Sequence, residues 1–224
     1  MNFIVLLLGL IPSFVWLSFF LQEDLHPEPR KMIFAAFLSG IVAALGTYIL
    51  QVWMSSALLA NGITSRALAY VAAFALVEET IKLLAAYLVV RKSPDFDEPI
   101  DAMIYLVAVA MGFAAVENIA VAFTNGLAVI TIGSLMFRFL GATLLHALSS
   151  SVVGYYWARG LVTRHVGIFV LLGIVVATLL HTVFNYAIVV FENGFLYAIG
   201  ILVFAAFFVL YDFEKLKKND TIIS

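Results

Sequence analysis

The sequence contains no cysteine, which excludes disulfides, thiol catalysis and cysteine-ligated zinc. Charge is scarce as well: charged residues make up 12% of the chain and the net charge is −2, so nothing indicates nucleic-acid binding. The first residues are apolar and carry neither a basic n-region nor a small-residue cleavage site. We therefore expect a retained first helix rather than a signal peptide.

Apolar runs of about twenty residues recur along the whole chain, and hydrophobic residues make up 64% of it. This pattern is typical of a polytopic helical membrane protein. We predict an all-α transmembrane bundle that forms a single membrane domain over residues 1–224, with a catalytic core at about 66–190. The bundle has seven membrane helices, or eight if the segment 124–135 also crosses. The seven helices are expected over 2–21, 32–54, 66–92, 102–123, 136–157, 166–190 and 195–213.

Basic residues favour alternate ends of these helices. Only Arg66 and Arg138 lie at one set of ends. The other set holds Arg30, Lys31, Arg91, Lys92, Arg159, Arg164, Lys215, Lys217 and Lys218. The positive-inside rule then predicts an N-terminus outside the cell and a C-terminus in the cytoplasm.

Three ionisable residues interrupt the apolar run 66–92, namely Glu78, Glu79 and Lys82. A charge at the centre of a membrane helix costs at least about 2.5–3.5 kcal/mol on insertion scales. A Glu78–Lys82 ion pair, one helical turn apart, would explain one glutamate and the lysine but would leave Glu79 without a partner. We therefore predict a functional site at this place.

Three further helices carry polar residues at a similar depth. These residues are Glu117 in the fourth helix, His146 in the fifth, and His181 with Asn185 on one face of the sixth. Counted from the outer helix ends, they and Glu78 lie roughly 9–18 Å below the outer surface. We expect them to share a cavity that water reaches from outside.

These residues can perform two kinds of water chemistry. A glutamate of the Glu78–Glu79 pair can act as a general base, while His146, His181 and Asn185 donate hydrogen bonds to an oxyanion. The same side chains could bind a metal, and a set of Glu79, Glu117, His146 and His181 would suit zinc. No HExxH motif is present and the spacing does not decide between the two.

Other protease chemistries are poorly represented. No aspartate lies in the middle of a predicted helix, which excludes an aspartyl dyad. Ser149, Ser150 and Ser151 follow His146, but no GxSxG motif frames them, so a serine nucleophile is a minor alternative.

Four motifs in order resemble those of the PrsW-type membrane proteases. They are EExxK at 78–82, GFAxxEN at 112–118, the histidine at 146 and HxxFN at 181–185. That family is similar to the CAAX-protease and bacteriocin-processing superfamily of glutamate-dependent intramembrane proteases. The resemblance implies that Glu78 or Glu79 activates water, while His146, His181 and Asn185 orient it or bind the oxyanion.

The resemblance also implies a partner and a location. Such proteins make the first, extracytoplasmic cut in a membrane-bound anti-sigma factor, within the lipid bilayer of a bacterial or archaeal cell. One departure concerns the second motif, which reads FxxxE with Glu117 where superfamily relatives tend to have FxxxH. Because a carboxylate is a better metal ligand than an oxyanion donor, this departure leaves dependence on a metal such as zinc as open as the glutamate-base mechanism.

Two other classes of function use the same residues. A proton- or cation-coupled transporter would use Glu78, Glu79, Lys82, Glu117 and the histidines as a relay, although we find no repeated halves. A non-catalytic scaffold would use them as hydrogen bonds between helices. The four motifs together favour the protease.

Overall fold

A computed structural model describes residues 3–125 and 137–218 of the chain, so residues 126–135 of the ambiguous segment lie outside it. Within the described residues the fold is all-α, as predicted, and contains no strand. Seven α-helices follow one another: α1 Phe3–Phe20, α2 Arg30–Ala60, α3 Leu68–Val90, α4 Asp101–Asn125, α5 Leu144–Thr163, α6 Val166–Val190 and α7 Gly194–Lys217. Four of them, α2, α4, α6 and α7, are long and apolar enough to cross a membrane.

Two helices end six residues later than the sequence suggested. Helix α2 continues six residues past the expected end at 54 and finishes at Ala60, before Gly62 turns the chain with φ of 77°. Helix α5 runs to Thr163 through most of the expected basic link, and Arg164 ends it in the left-handed conformation. The sequence predicts both ends at the first polar residues. A helix can continue for one or two turns through polar residues after it leaves the apolar region, so these predicted ends come too early.

A π-helical turn, Arg138–Thr143, leads directly into α5. Such wide turns are rare and are found mostly at functional sites. Here the turn delivers the chain to the helix that carries His146, and the buried Asn118 of α4 ties it in place: Asn118 Nδ2 donates to Thr143 Oγ1 at 3.1 Å and to the Gly9 carbonyl at 3.2 Å.

Helix α4 forms the centre of the bundle, and every residue from 102 to 115 in it is buried. Helices α1, α2, α3 and α5 pack around it. At the crossing with α2, a Cβ on Gly40 would lie 1.9 Å from the Val109 carbonyl oxygen, and one on Gly112 would lie 1.9 Å from the Phe37 carbonyl oxygen. Only glycine permits this backbone-to-backbone contact, a common device between membrane helices.

Helix α3 lies against α2, α4, α5 and α6. Its buried positions are Val71, Ala75, Glu78, Glu79, Lys82, Ala86 and Val90, which recur every three to four residues. This spacing places the acidic pair and the lysine on the face that packs into the bundle. The polar groups of α4, α5 and α6 meet them there.

Candidate active site

Glu79 connects three helices through one of its carboxylate oxygens. Its Oε1 accepts hydrogen bonds from Lys82 Nζ at 2.6 Å and from Ser149 Oγ at 3.0 Å, and it lies 2.7 Å from His181 Nδ1. All four side chains are buried. Because Oε1 already has three partners, Glu79 is suited to orient its neighbours rather than to react.

Lys82 pairs with Glu79 and not with Glu78, so the ion pair considered from the sequence alone is wrong. Helical spacing allowed either glutamate, at three or four residues from the lysine. Glu79 is the partner because its carboxylate also meets His181 inside the bundle. Lys82 Nζ has two further neighbours. It lies 3.2 Å from His146 Nδ1 and 5.4 Å from the centre of the Phe113 ring.

His146 connects the lysine to Glu117 of α4. Its Nε2 lies 2.7 Å from Glu117 Oε2. The His146 side chain is 3% exposed and the Glu117 side chain 34%, so Glu117 is the more accessible of the two to solvent. The glutamate that distinguishes the FxxxE motif therefore faces the imidazole at hydrogen-bond distance.

Glu78 is buried, yet one of its oxygens has no hydrogen-bond partner. Its Oε1 accepts a hydrogen bond from Gln51 Nε2 of α2 at 2.8 Å. Its Oε2 makes no hydrogen bond among the described residues and lies 3.6 Å from His181 Nε2. Burying an unsatisfied carboxylate oxygen is costly, so this atom is prepared for a water molecule or a metal ion.

Glu78, His146 and His181 can bring one ligand atom each to within 4.8 Å of one another. Two imidazoles and a carboxylate are the ligands that a catalytic zinc ion takes in several metalloproteases. The contact of His181 Nδ1 with Glu79 also fits, since metal-binding histidines usually give their second nitrogen to a carboxylate. These residues therefore fit a metal ion.

This ligand set differs from the one expected from the sequence. Glu78 takes the place of Glu79, because Glu79 Oε1 is occupied by three other groups. Glu117 is not a member of the three-residue group and contacts it through His146. The two histidines are the expected ones.

Asn185 lies one helical turn after His181 and lines a cleft between α3 and α6 together with Glu78. Its amide makes no side-chain hydrogen bond among the described residues. The structure thus brings all seven predicted site residues into two connected places: five around Glu79 and Glu117, and two where Glu78 and Asn185 border the cleft.

Gln51 and Ser149 belong to the site and were missed by sequence reasoning. Gln51 stood only three residues before the helix end expected at 54, where an amide can still reach water. Its signal appears only in the longer α2 of the structure, where it lies nine residues before Ala60. Ser149 carried none, since three consecutive serines offer no basis for choosing the one that meets Glu79.

Fold and site together define a helical integral membrane protein with glutamates and histidines buried at the meeting point of four helices. A sequence model described as "PrsW family intramembrane metalloprotease" matches residues 28–211. The chain belongs to this family, which confirms the resemblance and places it among the membrane metalloproteases.

Individual relatives agree with this assignment. The chain is 31% identical to "Protease PrsW" of Geobacillus kaustophilus over 67% of its own length and 64% of that relative. It is 26% identical to "Protease PrsW" of Oceanobacillus iheyensis over 97% of its length and 98% of the relative, and 26% identical to that of Bacillus subtilis over 96% and 95%. No solved structure matches the chain.

Proposed function

We propose that the chain is an endopeptidase that hydrolyses a peptide bond of a membrane-anchored protein, and that Glu78 is its reacting carboxylate. The observation that carries this proposal is the buried Oε2 of Glu78, which lacks a hydrogen-bond partner, lies 3.6 Å from His181 Nε2 and belongs to a residue bordering an open cleft. Glu79 also has a buried Oε2 without a hydrogen-bond partner, but its Oε1 holds three groups inside the bundle and the residue does not line the cleft. This division of roles supports Glu78 as the reacting carboxylate.

Each residue of the site then has a task. Glu78 holds the attacking water at Oε2, and His181 lies beside that position to share its proton. Asn185 offers its amide N–H to the carbonyl oxygen of the scissile bond, where negative charge develops. Lys82 and Glu79 keep both histidines in place from inside the bundle.

Glu117 and His146 form the second acid–base pair of the proposal. Their 2.7 Å contact allows a proton to pass between Nε2 and Oε2, and the exposed carboxylate can deliver it to the departing amine. In a metal-dependent form of the proposal, Glu78, His146 and His181 would instead hold the metal ion that the family description implies, in place of the water-holding and proton-passing roles just given. When bound, that ion would activate water and polarise the scissile carbonyl.

The same proposal includes topology and substrate. Seven membrane spans in one domain, with the N-terminus outside and a core at about 66–190, would place the cleft in the extracytoplasmic half of the membrane. We propose a membrane-bound anti-sigma factor as the class of substrate, as the resemblance implies, and zinc as the metal, because a glutamate and two histidines suit it.

The test compares cells that produce wild-type protein with cells that produce Glu78→Gln at the same level. Mass spectrometry of new protein termini should find cleavage of single-span membrane proteins near the extracytoplasmic surface of the membrane. These termini should appear only in the cells that produce the wild type. His181→Ala should remove the same termini. Identical termini in all three strains would refute the proposed activity.

A further inference from the structure

The cleft that reaches Glu78 lies between α3 and α6 and has a volume of about 240 Å³. Residues of α3 line one wall and residues of α6 the other, and Ser65, just before α3, lies at its mouth. Glu78 and Asn185, which belong to the candidate site, also line it. The remaining lining residues are Tyr70, Val71, Phe74, Ile188 and Val189.

The walls of the cleft are apolar, whereas its inner end is polar. Tyr70 and Phe74 stack with ring centres 4.4 Å apart, and the Tyr70 hydroxyl donates to Ser55 Oγ of α2, so this wall is held in place. Val189 on the opposite wall is 43% exposed. Since exposed apolar residues at this depth face lipid, the cleft opens sideways toward the bilayer as well as toward the loop.

The size of the cleft limits what can enter it. An apolar cavity of about 150 Å³ is known to hold a benzene molecule. The cleft therefore has room for one apolar side chain up to the size of an aromatic ring with its backbone. An intact helix is about 10–12 Å wide and does not fit, so a peptide must be extended to reach Glu78.

An extended peptide in a membrane needs partners for its backbone N–H and C=O groups. Asn185 offers both a donor and an acceptor, and neither is used by another side chain or carbonyl among the described residues. Its position beside Glu78 would bind the backbone next to the bond that is cut. The apolar walls would then receive the adjoining side chain.

We propose that the α3–α6 cleft is the substrate-binding groove, and that it takes an extended apolar segment from the outer half of a membrane-anchored protein. The inference rests on the proposed protease function and adds the route of entry and the class of side chain. It implies that Val71 lines a path that water and peptide share, whereas Leu76 of α3 faces lipid.

The absence of cysteine allows a direct test, because any cysteine introduced is the only one in the chain. Val71→Cys, reconstituted in lipid vesicles, should react with a charged thiosulfonate reagent. The matched control is Leu76→Cys, which is 46% exposed in the protein alone but faces the bilayer. Val71 is only 7% exposed, so faster reaction at position 71 than at 76 would support a water-filled cleft. Equal or slower reaction at 71 would overturn it.

Protection identifies the occupant. The probe is a peptide of about ten residues, built from leucine and alanine with a central Gly-Pro and lysines at both ends, added to Val71→Cys that also carries Glu78→Gln so that the peptide stays intact. Saturating peptide should slow labelling by about tenfold, while a serine-substituted peptide of the same length should not. Equal protection by both peptides, or by neither, would overturn the apolar groove.

The result is separable from the protease function. Cleavage of membrane proteins by the wild type without protection of Val71→Cys would refute the groove alone. Protection without cleavage would refute the proposed activity and leave the groove in place.

Discussion

Two clusters of acidic residues lie at different levels of the bundle, and both can gather three metal-ligand atoms within 4.8 Å. The buried cluster consists of Glu78, Glu79, Lys82, His146 and His181. The helix-end cluster consists of Asp24, Glu28, Asp97, Asp101 and Tyr105. Glu117, which contacts His146 of the buried cluster, follows Asp101 by sixteen residues in α4, so the two clusters lie about 24 Å apart along that helix.

The clusters differ in how their oxygens are satisfied. Asp101 Oδ2 accepts the backbone N–H of residue 97 at 2.9 Å and of residue 98 at 2.7 Å, and the Tyr105 hydroxyl donates to Glu28. Nearby backbone N–H groups and the Tyr105 hydroxyl therefore satisfy carboxylate oxygens of the helix-end cluster. The buried cluster joins three helices through side chains and leaves Oε2 of both Glu78 and Glu79 without a hydrogen bond, and of these two residues Glu78 borders the cleft. The candidate site is therefore marked by a carboxylate oxygen that lacks a hydrogen-bond partner beside a cleft, and not by the presence of acidic residues alone.

The strongest test of this contrast replaces one glutamate in each cluster. Glu78→Gln should lower the cleavage rate by about 10²–10⁴-fold, because it removes the base or ligand while keeping the shape of the side chain. Glu28→Gln should change the rate by less than about twofold. The measurement is the cleavage rate of one membrane substrate by equal amounts of folded protein. Similar losses of rate in both variants would show that the two clusters do not differ in function.

Lys82→Met should destabilise the protein by about 3–5 kcal/mol, because it leaves the buried Glu79 without its cation. Unfolding in detergent mixtures measures the loss. The control is the double variant Lys82→Met with Glu79→Gln, which should recover part of the stability. Equal stability of the single and double variants would show that the pair is not coupled.

Gln51→Leu should lower kcat by about tenfold and leave KM unchanged, since Gln51 contacts Glu78 Oε1 and fixes the direction of Oε2. Ser56→Ala on the same helix is the control, because Ser56 Oγ donates only to its own helix at the Val52 carbonyl. A rise in KM with kcat unaltered would instead assign Gln51 to substrate binding.

The smallest expected effect concerns pH at the helix-end cluster. Burial raises the pKa of Glu28 to about 8; the hydrogen bond from Tyr105 opposes this, and the Asp101 and Asp24 carboxylates add to it. The folded state thus holds the proton more tightly than the unfolded state does. The contribution of Glu28 to the free energy of unfolding is complete below about pH 4.5 and is lost as the pH rises through about 8.

Between pH 6 and pH 9 the wild type should therefore lose about 1 kcal/mol of unfolding free energy, a modest value because Glu28 is partly exposed. Glu28→Gln should show a flatter profile over the same range, measured by unfolding in detergent mixtures. An unchanged profile in the variant would assign the pH dependence to another group.

Much of the site was predictable, for a physical reason: charged and imidazole side chains within apolar helices are costly, so Glu78, Glu117, His146 and His181 stand out in the sequence. Their mutual contacts were not. Which glutamate takes Lys82 depends on the position of His181, about one hundred residues away, and helical spacing alone cannot supply that. The extended α2 and the π-helical turn likewise depend on tertiary packing.

Helix α3 contains no glycine, unlike α2, α4, α5 and α6, whose glycines bring backbones into direct contact at Gly40, Gly112, Gly154 and Gly173. Those helices form a frame with close backbone contacts, while α3 is joined to it through side chains, among them the polar contacts of the buried cluster and the hydrogen bond from Tyr70 to Ser55. Tilting of α3 would widen the cleft and at the same time draw Glu78 away from His181. With α3 tilted, the cleft would admit a substrate but Glu78 would lie away from His181. With α3 returned, the reacting groups would be assembled around the bound peptide, so the open enzyme would stay inactive until the peptide is bound.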